Sequence, residues 1–293
     1  MLFRTEQPFD LSASLESGQS HRWIREDDWY SSIINNTYIK LRQDTDGITH
    51  FFSNRNCEDA NIDILKRYFR LDDDISGIYR EISKDQRVSE MVKIYPGLRL
   101  LRLDPWECLI AFICSANSNL SRIHQVMENM ANSFGDPLQL DNTIRNTFPR
   151  PEQLVEAGEI GLRKLGLGFR APYVYQATKR VLEGRLDLEL LIDLPYEEAK
   201  ANLMECNGIG PKIADCVAVF SLEKIEAFPI DVWVRRALGE WYFPNQKIPP
   251  DKDLLEWAHA HFGIYAGYAQ QYLFHGRRLE KKRSPPASGK KIN

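Results

Sequence analysis

Apolar residues change their spacing once along this 293-residue chain. Up to about residue 100 they come in short β-branched and aromatic runs, such as Thr37-Tyr-Ile-Lys-Leu-Arg42 and Gly47-Ile-Thr-His-Phe-Phe52. Asp, Asn and Gly separate these runs, which predicts strands and turns. Within that region Ile62, Leu65, Tyr68 and Phe69 stand at helical spacing, and residues 60–92 read as helix. Pro96-Gly97 marks a turn and a subdomain boundary. From Pro105 onward the spacing is helical almost throughout. Trp106–Ala116 is apolar enough to be buried, Leu120–Phe134 is amphipathic, and a loop holding Gly135 and Pro137 follows. Further helices are expected over 151–157, 159–165, 171–184 and 195–205, then Val232–Trp241, Lys252–Phe262 and Tyr265–Leu279. The pattern predicts an α+β fold. An antiparallel sheet subdomain (1–100) precedes a helical body (101–280), and a polar, breaker-rich tail (281–293) is expected to be disordered.

Composition narrows the class. Hydrophobic residues make up 43% of the chain, enough for a core, yet no run approaches the length of a membrane span. The opening Met-Leu-Phe-Arg-Thr-Glu-Gln lacks the apolar centre of a signal peptide. Cys57, Cys108, Cys114, Cys206 and Cys216 are odd in number and unpaired in spacing, which points to reduced thiols inside a cell. The net charge of −3 is uneven. Residues 277–291 carry seven Lys or Arg and one Glu, leaving a mildly acidic remainder. Any grip on nucleic acid must then come from local basic patches and helix N-termini.

The chemistry gathers at Glu205–Arg235. Tyr196–Met204 has helix formers at helical spacing, Gly208 and Gly210 free the backbone for a tight turn, and Pro211 suits the first turn of a second helix. This is a helix, a glycine hairpin and a helix. The second helix begins with unpaired N–H groups and the positive end of its dipole, which attracts phosphate. Lys212 lies in that first turn, where the dipole disfavours a cation and favours the neutral amine a nucleophile needs. Nineteen residues later Asp231 reads as the N-cap of another helix. Each feature alone is ordinary. Together, Gly208-Ile-Gly-Pro-Lys-Ile-Ala-Asp-Cys216 and Phe228-Pro-Ile-Asp-Val232 resemble the helix-hairpin-helix DNA glycosylases, most closely their 8-oxoguanine branch.

That resemblance extends over residues 9–279 and assigns further roles. It makes Lys212 the nucleophile and Asp231 its partner, with Gly208 and Gly210 in the DNA-gripping hairpin. Ser17-Gly-Gln-Ser-His-Arg-Trp23 is similar to a family segment whose glycine carbonyl, here that of Gly18, accepts from N7–H of the oxidised base; His21 stands in place of the usual aromatic. Normal guanine has an acceptor at N7, so two acceptors would face each other, at about 1–3 kcal/mol for the unmatched group. In Phe112–Ile123, Asn117 corresponds to the asparagine that fills the space of the flipped base and Arg122 to a reader of the orphaned cytosine. In Leu165–Tyr173, Arg170 is the second reader and Phe169 a wedge into the base stack. Gln270 and Phe274, one helical turn apart, are the edge reader and stacking platform, and Cys216 packs against the base's other side.

Two positions depart from the eukaryotic branch. Trp233 stands where histidine is usual and Arg277 where aspartate is usual; the two family positions interact near a DNA phosphate, so the resemblance leaves that grip open. No cofactor motif is present. No cysteine follows Cys216, so no iron–sulfur cluster is expected, and the spacing of His259 and His261 suits no metal. Whether the hairpin carbonyls take a monovalent cation, as related hairpins do, stays open. The resemblance implies a monomer acting on double-stranded DNA, excising 8-oxoguanine opposite cytosine and nicking the strand through an imine. Two other readings remain: an alkylated-base glycosylase working with water and Asp231 alone, and a helix-hairpin-helix module that only binds DNA.

Overall fold

The structure, a computed structural model, describes residues 1–283, with side chains through residue 280. Five strands form one antiparallel sheet: β1 (Leu2–Phe3), β2 (Ile24–Glu26), β3 (Trp29–Ile34), β4 (Thr37–Gln43) and β5 (Thr49–Ser53), in the order β1-β5-β4-β3-β2. Register is set by the turns. Between β3 and β4, Asn35 and Asn36 both take positive φ (47° and 56°), the two-residue turn whose twist matches the strands, and Ile34 pairs with Thr37. A short helix α1 (Leu11–Leu15), capped by Asp10, precedes Ser17–Trp23 and lays Leu11 and Leu15 into the sheet's core beside Leu41, Phe51 and Phe69.

Three helices follow: α2 (Glu58–Tyr68), α3 (Ile75–Ile82) and α4 (Gln86–Ile94). The single helical stretch expected over 60–92 is thus broken twice, where Asp74 and Asp85 cap new starts. Ile75, Ile78, Ile82, Val88 and Met91 belong to the core of the helical body, while Leu101 belongs to that of the sheet, so the two cores draw on residues from both sides of the Pro96–Gly97 turn.

The body is built of α5 (Pro105–Cys114), α6 (Leu120–Phe134), α7 (Pro151–Glu156), α8 (Gly158–Leu162), α9 (Ala171–Leu182), α10 (Leu190–Asp193), α11 (Tyr196–Met204), α12 (Pro211–Ser221), α13 (Val232–Trp241), α14 (Asp251–Phe262) and α15 (Ala266–Arg283). Helix α12 is central: Ile213 to Ser221 are all buried. Two expectations are corrected. The loop after Phe134 contains a hairpin, β6 (Pro137–Leu140) with β7 (Thr143–Asn146), because Leu140 finds cover against Ile33 and Tyr38 of the distant sheet. Residues 281–283, expected in the tail, continue α15; residues 284–293 lie outside the described residues.

Sheet and body are joined by buried charge. Arg22, 1% exposed, donates from Nε to Glu128 (2.8 Å) and from Nη2 to the Asn146 carbonyl (2.6 Å). Arg145 of β7 reaches the same Glu128 oxygen (2.9 Å) and the Ser31 carbonyl of β3 (2.7 Å). Gln19 donates to the Arg99 carbonyl (2.9 Å) and accepts from the Leu101 N–H (2.8 Å).

Candidate active site

The hairpin forms because of one contact. Gly208 has φ +88°, and a Cβ there would lie 2.4 Å from the Tyr173 ring of α9. Only glycine fits both the backbone angle and the gap. Gly210 differs: it is the N-cap of α12, with extended backbone and open space where a Cβ would go. The hairpin therefore packs on one glycine and presents its backbone to the outside at the other.

Lys212, in the first turn of α12, turns inward. Its Nζ donates to Ser115 Oγ (3.1 Å) and lies 5.4 Å from the centre of the Phe112 ring. Phe112 is in turn met edge-on by His21 (5.7 Å between rings), a neutral side chain whose pKa burial, aided by Lys212 and His124, pushes down to about 3. Asp231 caps α13, accepting from the N–H groups of Trp233 (2.9 Å) and Val234 (2.8 Å). Burial raises its pKa against the pull of those bonds and of Lys212. Cys216, one turn beyond the lysine, is buried and its thiol is pushed up to about 12, so it serves as an apolar surface, not a thiolate.

Helix α15 closes the site from the other side. Gln270 donates through Nε2 to the Pro229 carbonyl (3.0 Å), just ahead of Asp231, and Gln271 donates to the Ser17 carbonyl (3.0 Å). Two adjacent glutamines thus tie α15 to the Asp231 loop and to the Gly18 segment. Gly18 has φ +82°, and a Cβ on it would stand 3.3 Å from the Phe274 ring and 3.5 Å from Leu120. Gln270 is 4% exposed, and its Oε1 has no hydrogen-bond partner. A buried acceptor without a partner is costly and marks a place for a donor.

Asn117, Arg122, Phe169 and Arg170 form a second group, the first three of them exposed. Asn117 is exposed with φ +47°. Arg122 donates to the Gly166 carbonyl (3.2 Å), and Phe169 is 49% exposed beside the Arg170 guanidinium (4.4 Å). Arg170 itself is buried. Its fork is spent on the carbonyls of Ala116 (2.7 Å from Nε) and Asn117 (2.8 Å), so reading a base would require exchanging these acceptors. At the two departing positions, Trp233 lies under Arg236 (5.6 Å), and Arg277 pairs with Glu240 and Glu280. Among the described residues no three His, Cys, Asp or Glu side chains converge as a metal would require, and no helix is long and apolar enough to cross a membrane.

Residues 1–109 match the family model for the 8-oxoguanine DNA glycosylase N-terminal domain, and residues 110–258 that for the HhH-GPD superfamily base excision DNA repair proteins. The chain belongs to the HhH-GPD superfamily. Its relatives include the N-glycosylase/DNA lyase of Saccharomyces cerevisiae, 31% identical over 90% of this chain and 82% of that protein. The N-glycosylase/DNA lyase OGG1 of Arabidopsis thaliana is 32% identical over 92% and 78%. Among solved structures, MBOgg1 in complex with a low-affinity DNA ligand superposes with a TM-score of 0.90 at 34% identity, covering 96% of each chain. The 8-oxoguanine glycosylase/lyase of Clostridium acetobutylicum, in complex with double-stranded DNA containing cytosine opposite 8-oxoG, gives 0.88 at 29%, covering 96% of this chain and 98% of that one. The superfamily motifs were legible in sequence. Ser115, Phe112, Leu120 and Gln271 were not, because each meets its partner only across the fold: Ser115 lies 97 positions from Lys212 and Gln271 lies 254 from Ser17.

Proposed function

We propose that this protein is a DNA N-glycosylase and lyase that excises 8-oxoguanine from double-stranded DNA opposite cytosine. The observation that carries the reading is the placement of Lys212 in the first turn of α12 and of Asp231 at the N-cap of α13: an inward-turned amine whose charge acts on a half-buried, capping carboxylate. The amine bonds C1′ of the flipped nucleotide as the bond to the base breaks, and the base leaves with the electron pair. The carboxylate stabilises the positive charge that develops on the sugar, the kind of stabilisation worth several kcal/mol in a dry site. Ring opening gives an iminium between Lys212 and C1′. Loss of a C2′ proton then expels the 3′ phosphate, which is β-elimination. These steps use only groups of the chain and the DNA.

Base selection follows from the other face. Gln270 spends its NH2 on Pro229 and so offers an acceptor, which suits the N1–H and N2–H donors of a guanine-type edge and not the acceptor N1 of adenine. The Gly18 carbonyl is assigned to N7–H, which only the oxidised guanine carries. Arg122 is assigned to the orphaned cytosine, with Arg170 joining it once released from the main chain. A water-dependent, alkylated-base glycosylase would have no use for an amine in the place of Lys212.

The test is covalent capture. Borohydride should trap the wild-type protein on a duplex with one 8-oxoguanine, and Lys212→Gln should lose trapping and nicking while still retaining the lesion duplex on a gel. Trapping by Lys212→Gln would make another amine the nucleophile and remove the reading. Nicking of an alkylated duplex only after hot alkali would support the water-dependent alternative.

A further inference from the structure

Three arginines lie on or against α13, and two of them are committed. Arg235 is held by Asp251 and the Pro249 carbonyl (3.0 Å), facing α14. Arg277 of α15 is held by Glu240 and by Glu280 (3.3 Å). Arg236 is exposed and has no hydrogen bond or ion pair among the described residues; its guanidinium lies over the Trp233 ring, 5.6 Å from the centroid. The stack is what helix geometry favours. Side chains lean toward the helix N-terminus, and positions three apart share a face. The charge of Arg236 is thereby carried back toward the turn that Asp231 caps. A guanidinium lying on a ring keeps its N–H donors pointing outward at the edge, available to a planar or tetrahedral anion.

Glu240 explains why Arg236 stays free. It stands four residues further along α13, the usual partner position for a helix cation, but its carboxylate is taken by Arg277. On the functional reading above, the strand carrying the flipped nucleotide must approach this turn, where the carboxylate of Asp231 repels phosphate. We propose that Arg236, carried on Trp233, is a DNA-phosphate ligand of this site, and that Arg277 is a positioning residue that keeps Arg236 available by occupying Glu240.

Salt dependence of binding tests this directly. Each phosphate contact contributes about 0.9 to the slope of log K against log salt. In a Lys212→Gln background, binding to a duplex with 8-oxoguanine opposite cytosine is measured at several NaCl concentrations. Arg236→Ala should lower the slope by about 0.9, Trp233→Ala should lower it, and Trp233→Phe should retain it. Arg277→Ala should also lower the slope, because Glu240 is then free to capture Arg236. The double variant Arg277→Ala/Glu240→Gln should restore it. An unchanged slope in Arg236→Ala overturns the phosphate contact. A slope that stays low in the double variant makes Arg277 itself the contact and overturns the positioning role. If the parent binds lesion and undamaged duplexes alike, the 8-oxoguanine reading fails instead, and the same slopes on undamaged duplex still decide the role of Arg236.

Discussion

Asp231 shows two demands on one carboxylate. It caps α13 through two N–H groups and feels the charge of Lys212, yet it is half-buried, and desolvation wins, raising its pKa. Its folded pKa therefore exceeds its unfolded value. The ionised form is penalised in the folded state, so this group's contribution to stability is most favourable below the unfolded value and declines as pH rises through the window up to the folded one. On the proposed mechanism activity runs the other way, because there the ionised form stabilises the charge on the sugar. The acid limb of single-turnover excision should lie above the ordinary Asp value of about 3.9, and a limb at or below that value would contradict the burial argument. Asp231→Asn keeps a capping side chain and removes the half-buried charge. It should slow base release by about 100-fold or more while thermal denaturation at pH 7 shows the same or a higher Tm. Asp231→Ala loses the cap as well and should cost about 1 kcal/mol.

At the scale of elements, the hairpin before α12 divides its work between two glycines. Gly208→Ala forces a Cβ into the Tyr173 ring at a left-handed φ, and should destabilise by about 3 kcal/mol from overpacking and backbone strain together. Gly210→Ala meets open space, so denaturation should move little, about 1 kcal/mol or less, while DNA affinity falls because the methyl group occupies the approach to the helix N-terminus. Equal loss of stability in both would mean that the hairpin is scaffold only. The segment after α5 gives a second contrast. Arg122 is exposed and Arg170 is locked on main-chain carbonyls. Arg122→Ala should relax the preference for cytosine opposite the lesion at unchanged Tm. Arg170→Ala should relax it and also lower Tm, since two carbonyls lose their donor. Excision rates against all four opposite bases, read beside the melting curves, separate the two.

Across the whole molecule, the site depends on the sheet and the helical body holding one another. Gly18 approaches Phe274 from the sheet side, and its neighbours Gln19 and Arg22 anchor it to the body. Gln19→Ala would leave the Leu101 N–H and the Arg99 carbonyl unpaired inside the protein, at about 1–3 kcal/mol each. It should lower Tm in a single cooperative transition and weaken 8-oxoguanine discrimination through the displaced Gly18. Two separate transitions in calorimetry would show instead that the halves unfold independently.

What the sequence determined by itself was local or carried by motif. Strand alternation, helical spacing, the Gly-x-Gly-Pro-Lys hairpin and the capping Asp231 are all properties of neighbouring residues, and neighbours are what a sequence displays. Tertiary structure alone decided the rest. The β6–β7 hairpin exists because Leu140 is covered by Ile33 and Tyr38, more than a hundred positions away. The single helical stretch of the first hundred residues breaks where Asp74 and Asp85 offer caps and where α3 and α4 turn to the helical core. Lys212 points inward because Ser115 accepts from it, Gln270 offers an acceptor because Pro229 takes its donor, and Arg236 stays free because Arg277 holds Glu240. Each is a competition for one hydrogen-bonding or charged group, and its outcome depends on which rivals the fold brings within about 3 Å.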